Sequence, residues 1–243
     1  MNALVAHLRL ELAVLARNGE SLLLTLGIPV LLLTFFAKVD VLPIDEKHPI
    51  AFLAPGVLAL AILSTSLVNL AIATGFEREY GVLKRLGATP LGRPRLLVAK
   101  TLAIGVVELV QVAVLWVLAL ALRWHPSVDL PGIVVAVVLG TIACAGIGLC
   151  LAGSLKALVT LAAANGLYLV LLLLSGMVIP LTKLPGAIQA VAKALPSGAL
   201  AEAMHGSLTA GQHVPGRAWL VLAAWAILAP AAATRFFRWE GKS

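Results

Sequence analysis

The sequence predicts an all-α integral membrane protein with six membrane-spanning helices in a single domain, residues 1–243. Three observations carry that reading. The mean hydropathy is +1.04. Hydrophobic residues make up 61% of the chain against 12% charged. The apolar residues gather in six runs separated by short polar joints. A bilayer core of about 30 Å takes about 20 apolar helical residues to cross, and a water-soluble core of this length cannot hide so many runs of that kind.

Residues 3–18 come first. Leu4, Leu8, Leu12 and Leu15 fall at helical spacing with His7, Arg9, Glu11 and Arg17 elsewhere around the wheel, which predicts an amphipathic helix lying at the membrane surface. Charge ahead of the first apolar run, with no small-residue cleavage pattern after it, gives the expectation that this run is retained rather than cleaved. The first span covers about 21–37 and contains Pro29, tolerated in lipid where a neighbouring helix or water meets the freed carbonyl. The second covers about 50–74 and holds Ser64, Thr65, Ser66 and Asn69, a polar cluster expected to face protein. The third and fourth cover about 96–122 and 132–152. In the fourth, Ala136, Gly140, Cys144, Gly148 and Ala152 recur every fourth residue, so one stripe is uniformly small and suits a close helix contact. The fifth and sixth spans cover about 158–179 and 218–234.

The segment between the last two is too short and polar to cross. Ile188, Val191, Ala192 and Leu195 fall at helical spacing between Pro185 and Pro196, which predicts one or two short helices packed over the span ends. With the N-terminus in the cytoplasm, twelve Lys and Arg fall on the cytoplasmic side and six on the other, the bias that the positive-inside rule selects. Both termini are then cytoplasmic. The pI of about 9.9 follows from that topology and implies no nucleic-acid partner.

Between spans two and three, EREYGVLKRLGATP (residues 77–90) concentrates charge in an otherwise apolar chain. Phe76, Tyr80, Leu83 and Leu86 form a near-helical apolar stripe, Glu77, Arg78, Lys84 and Arg85 occupy other faces, and Gly87 and Pro90 supply a stop. No acid within the segment stands three or four residues from a base. Charges left unpaired beside an apolar stripe fit either a cytoplasmic protein partner or, for Lys84, Arg85, Arg93 and Arg95, anionic lipid headgroups.

Polar residues inside the spans are the other candidates. Glu108 lies near mid-depth in the third span with Gln111 one turn on, and an ionisable residue there demands an environment. It is read either as a group on the substrate path or as a contact between helices, with Asn69 or Gln111 as partner. Asn69 and Asn165 are further path candidates, with helix packing as the plainer reading. Cys144 and Cys150, six positions apart on different helix faces, give no disulfide or metal site. His205 and His213 lack metal-ligand spacing and read as solvated loop histidines.

Two stretches resemble a known family. FEREYGVLKRLGATPLGRPRLLVAK (76–100) is similar to the segment between the second and third spans in membrane subunits of ATP-binding-cassette exporters, in particular the daunorubicin-resistance-like branch of the drug and polysaccharide exporter family. SGMVIPLTKLPGAIQAVAKALP (175–196) is similar to the same family's outer segment after span five. The resemblance implies that the first stretch is a cytoplasmic coupling helix seated on a separate ATPase subunit, with Glu77, Arg78, Glu79, Gly81, Leu83, Lys84, Arg85 and Leu86 as coupling residues. It implies short outer helices in the second stretch, a second permease subunit, identical or related, and a bacterial inner-membrane location. It further implies export, of the multidrug and antibiotic-resistance kind. No cofactor is expected on this chain, with ATP and Mg at the partner ATPase. Where the family commonly carries Tyr or another bulky residue, this chain has Ser197, Gly198 and Ala199, which implies an outer gate of smaller side chains.

No GxxxxGK[S/T] phosphate loop, HExxH or GxSxG occurs, so neither ATP hydrolysis through that loop nor those enzyme chemistries belong to this chain. The function expected is a permease subunit that moves a hydrophobic drug-like or lipid-like cargo outward. The alternatives are an ion-coupled secondary transporter using Glu108 and a membrane scaffold without transport.

Overall fold

The computed structural model describes residues 5, 8–13, 19–38, 49–87 and 92–237, and every regular element among them is helical. These are α1 (Gly19–Phe36), α2 (Pro49–Glu79), α3 (Val82–Gly87), α4 (Arg93–Ala121), α5 (Leu130–Ser154), α6 (Ala157–Leu173), α7 (Gly186–Ala194), α8 (Pro196–Leu208) and α9 (Gly216–Phe236). Residue 5 and residues 8–13 are helical as well. The remainder of the expected lead-in helix, the loop 39–48, Pro90, and the C-terminal Arg238 and Lys242 lie outside the described residues.

Among the described residues, α2, α4, α5 and α9 are long and apolar enough to cross a membrane, whereas α1 and α6 are apolar but shorter. The second apolar run extends past its expected end at Thr74 to Glu79, because the charges that follow Phe76 find partners within the chain. The fifth run stops earlier than its expected end at Ile179. Residues 174–179 bend after Leu173, with Gly176 at φ 78°, and the Met177 carbonyl folds onto α2. A Cβ on Gly56 would lie 1.9 Å from that oxygen, so only glycine admits the contact.

α5 is the mast of the fold, running along α9 and against the second half of α2 and α8. All of Ala136, Gly140, Cys144, Gly148 and Ala152 are buried on it. A Cβ on Gly140 would meet the Leu200 side chain at 2.7 Å, and one on Gly148 would meet the Leu67 carbonyl oxygen at 2.6 Å. A second face carries Gly146 against Ala229 and Pro230 of α9. Close approach on two sides lets dispersion contacts accumulate where lipid offers no hydrophobic gain for helix association. Both cysteines are free thiols.

α8 is short and almost wholly buried. Ser197 donates to the Leu171 carbonyl at 3.1 Å, and a Cβ on Gly198 would fall 2.0 Å from the Ala192 carbonyl oxygen. Ser197, Gly198 and Ala199 are therefore small because α6 and α7 press on the start of α8, not because they face an open gate.

Candidate functional site

Two places on the fold concentrate polar chemistry: the joint between α2 and α4, and a polar bridge across the middle of α1, α2, α4 and α5.

The expected single amphipathic helix through residues 76–87 is two helices. α2 ends at Glu79, Gly81 takes φ +73° in a tight turn, and α3 restarts at Val82. The turn divides the apolar stripe. Leu83 is fully buried against Leu70, Leu96, Leu97 and Phe237, while Tyr80 is 73% exposed. The charges are not unpaired either, since partners come from distant sequence. Glu77 meets Lys100 at 2.6 Å, and Lys100 also meets Glu11 at 2.8 Å. Arg78 is buried and donates to the Leu155 carbonyl, at the C-terminus of α5 where the helix dipole favours a cation. Glu79, Tyr80, Val82, Lys84 and Arg85 remain on the surface. Leu86 closes α3, and its side chain lies outside the described part. Of the eight residues nominated for coupling, Glu77, Arg78 and Leu83 form an anchor, Glu79, Lys84 and Arg85 a presented face, and Gly81 the turn between the helices.

The polar bridge begins with a proline. Pro29 has no N–H, so the Thr25 carbonyl one turn earlier loses its helical partner. Gln111 of α4 donates to that oxygen at 2.8 Å, and its own side-chain oxygen accepts from Thr65 of α2 at 2.9 Å. Asn69 donates to the Thr25 hydroxyl at 2.6 Å. Thr65 and Asn69 belong to a π-helical turn, Ser64–Asn69, in the middle of α2. Such turns shift the carbonyl ladder out of register and recur at functional sites. Ser66 donates to the Ile62 carbonyl at 2.5 Å.

Glu108, 1% exposed, accepts from Thr141 of α5 rather than pairing with Asn69 or Gln111. Its Oε1 has no hydrogen-bond partner among the described residues; the nearby Ser66 hydroxyl is spent on Ile62. Asn69 and Asn165 line one cavity of about 270 Å³ between α1, α2 and α6, together with Thr25, Pro29, Ser64 and Tyr168. Glu108 and Gln111 are not on its wall. Of the four residues nominated for a path, the fold brings two to one cavity and leaves the other two off its wall.

His205 also departs from expectation. It lies within α8, with Nδ1 2.8 Å from the Ala201 carbonyl oxygen and Nε2 3.0 Å from that of Phe52 on α2. Burial holds its imidazole below the usual range, opposed by the two carbonyls. It borders a second cavity of about 260 Å³ that also receives Glu202, Gln212 and His213. No set of three His, Cys, Asp or Glu able to hold a metal occurs among the described residues.

The sequence model of the ABC-2 type transporter family matches residues 3–208, a stretch that includes the joint, the bridge and α8. The chain belongs to the ABC-2 type transporter family. Membership makes it a multi-pass membrane component of an ABC transporter, a transport subunit that works with an ABC ATPase subunit. No curated protein matches the chain.

Sequence reasoning missed Lys100, Thr25 and Thr141. Lys100 carried a signal of its own, a lysine one turn inside an apolar run, but nothing local names Glu11 and Glu77 as its partners. Pro29 pointed to an unmet carbonyl without identifying Gln111 as the group that meets it.

Proposed function

We propose that this ABC-2 chain is the permease subunit of an ATP-driven exporter of the daunorubicin-resistance-like branch, moving a hydrophobic drug-like or lipid-like cargo outward across a bacterial inner membrane. The observation that carries the reading is the joint. Val82, Lys84 and Arg85 on the short α3, with Tyr80 in the turn just before it, form a mixed aromatic, aliphatic and basic surface, and the inward side of α3 is fixed by Leu83. Such a face suits a protein cleft, because buried interface centres favour aromatic and Arg anchors. ATP binding then shifts the membrane part through contacts that differ between two states.

In this reading α1 and α6 cross with α2, α4, α5 and α9, both termini and α3 are cytoplasmic, and α7 and α8 cover the outer end. A second permease subunit, identical or related, completes the pathway. The cavity beside Asn69 and Asn165 supports an apolar cargo bearing a few hydrogen-bonding groups, since amides set among aliphatic residues reward that combination. Multidrug export and antibiotic resistance follow from the branch. The ion-coupled alternative rests on the unpartnered Glu108 Oε1, but Glu108 borders no part of this cavity.

The test is co-purification and reconstitution with the candidate ATPase, following nucleotide-dependent movement of apolar cargoes. Export that needs ATP and the ATPase supports the reading. Full-rate transport driven by a proton gradient with no ATPase present overturns it in favour of Glu108.

A further inference from the structure

Lys100 is among the largest fully buried side chains of the described residues, and its ammonium holds Glu11 Oε1 at 2.8 Å and Glu77 Oε2 at 2.6 Å. The three residues come from three separate pieces of chain: the N-terminal helical stretch 8–13, the end of α2 just ahead of the joint, and the start of α4. A lysine 1% exposed has lost its hydration, and only carboxylates at contact distance make that burial tolerable. If Lys100 were withdrawn, two buried or half-buried carboxylates would be left together with their main shared cation gone.

The node sits where a displacement of α3 has to pass. Only Tyr80 and Gly81 separate α3 from α2, so movement of α3 acts directly on the turn of α2 that carries Glu77 and Arg78. Arg78 transmits to Leu155, between α5 and α6. Lys100 ties that same turn of α2 to α4. We propose that Lys100 is a positioning residue that makes the end of α2, the start of α4 and the N-terminal helical stretch move as one body when α3 is pushed. The proposal rests on the reading of the α3 surface as the ATPase-docking face, and it adds what lies behind that face.

The experiment uses the full chain reconstituted with its ATPase, measuring binding of the ATPase, thermal stability and the ATPase stimulation that the chain confers. Lys100→Met is expected to bind the ATPase as the unmodified chain does and to lose stimulation about tenfold, the scale of an ordinary coupling free energy. Lys100→Arg is expected to retain it. Because Lys100→Met takes the shared cation from two carboxylates and can fail to fold, the triple variant Glu11→Gln/Glu77→Gln/Lys100→Met is tested beside it. Unchanged stability and binding of that variant with lost stimulation separates transmission from mere support. Full stimulation in the triple variant overturns the proposal. An unmodified chain that binds no ATPase overturns the docking reading itself, and the proposal with it.

Discussion

Gly148→Ala tests whether the α5–α2 contact is as close as the structure places it. A methyl at Gly148 would stand 2.6 Å from the Leu67 carbonyl oxygen, about 0.8 Å short of ordinary contact at 3.4 Å, and the obstructing atom is backbone. No rotamer change relieves it, so α5 must move away from the π turn of α2. Overpacking of this kind costs about 1–3 kcal/mol. For a chain of this size each kcal/mol moves Tm by about 2–4 °C, so Tm is expected to fall by about 2–12 °C. The control is Gly105→Ala on α4, where nothing lies within 4 Å of the added methyl and the gain in helix propensity is up to about 1 kcal/mol. The assay is thermal unfolding of both variants in one detergent. Equal stability of the two would refute the close contact, because both add the same methyl to a helical glycine and differ only in what it meets.

Gln111→Leu strands the Thr25 carbonyl that Pro29 frees and is expected to cost about 1–3 kcal/mol. In Pro29→Ala the helix supplies its own N–H, so a double-mutant cycle in thermal unfolding should show most of that cost removed. Leu83→Asp places a carboxylate in the cluster with Leu70, Leu96 and Phe237 and is expected to lower stability by more than about 3 kcal/mol, whereas Tyr80→Ala should weaken ATPase binding with Tm unchanged. His205 has a folded pKa below its unfolded value of about 6.5, so the unfolded chain binds the proton first. Stability is then full above about pH 6.5 and declines as pH falls toward the folded value, and a pH series of Tm should show that slope flattened in His205→Gln.

The fold was legible where a local rule determined it. Apolar runs located the helices, and the four-residue repeat from Ala136 to Ala152 located a packing stripe, because both properties belong to a single helix. Partners could not be read the same way. Glu77 lies 66 residues from Glu11 and 23 from Lys100, and no spacing rule spans either separation. The division of the joint at Gly81 was hidden because Phe76, Tyr80 and Leu83 keep helical spacing even though the backbone turns between them. In sequence His205 looks like a loop residue because the short α8 lies in a segment rich in Gly, Ser and Pro. Its burial comes from α2 closing over it, a tertiary fact.

Most of the polarity inside the spans has a backbone cause. Pro29 removes one N–H and Gln111 answers it; Thr65 then holds the amide in place, and Asn69 engages the hydroxyl of the same Thr25. Ser66 answers the carbonyl of Ile62 ahead of the widened turn. Polar side chains spent on repairing a kinked helix are not free to recognise cargo, so their presence alone does not mark a path. Of the four residues weighed for a path, two survive that subtraction. Among the described residues, Asn165 is bonded only to the Leu161 carbonyl of its own helix and stands exposed on the cavity wall, while Glu108 keeps one buried oxygen without a donor. The first faces the cavity proposed to take cargo, and the second faces packed helices. A substitution at Asn165 should therefore alter which cargoes are moved, and Glu108→Gln, which preserves the oxygen accepting from Thr141, should alter how α4 rests on α5.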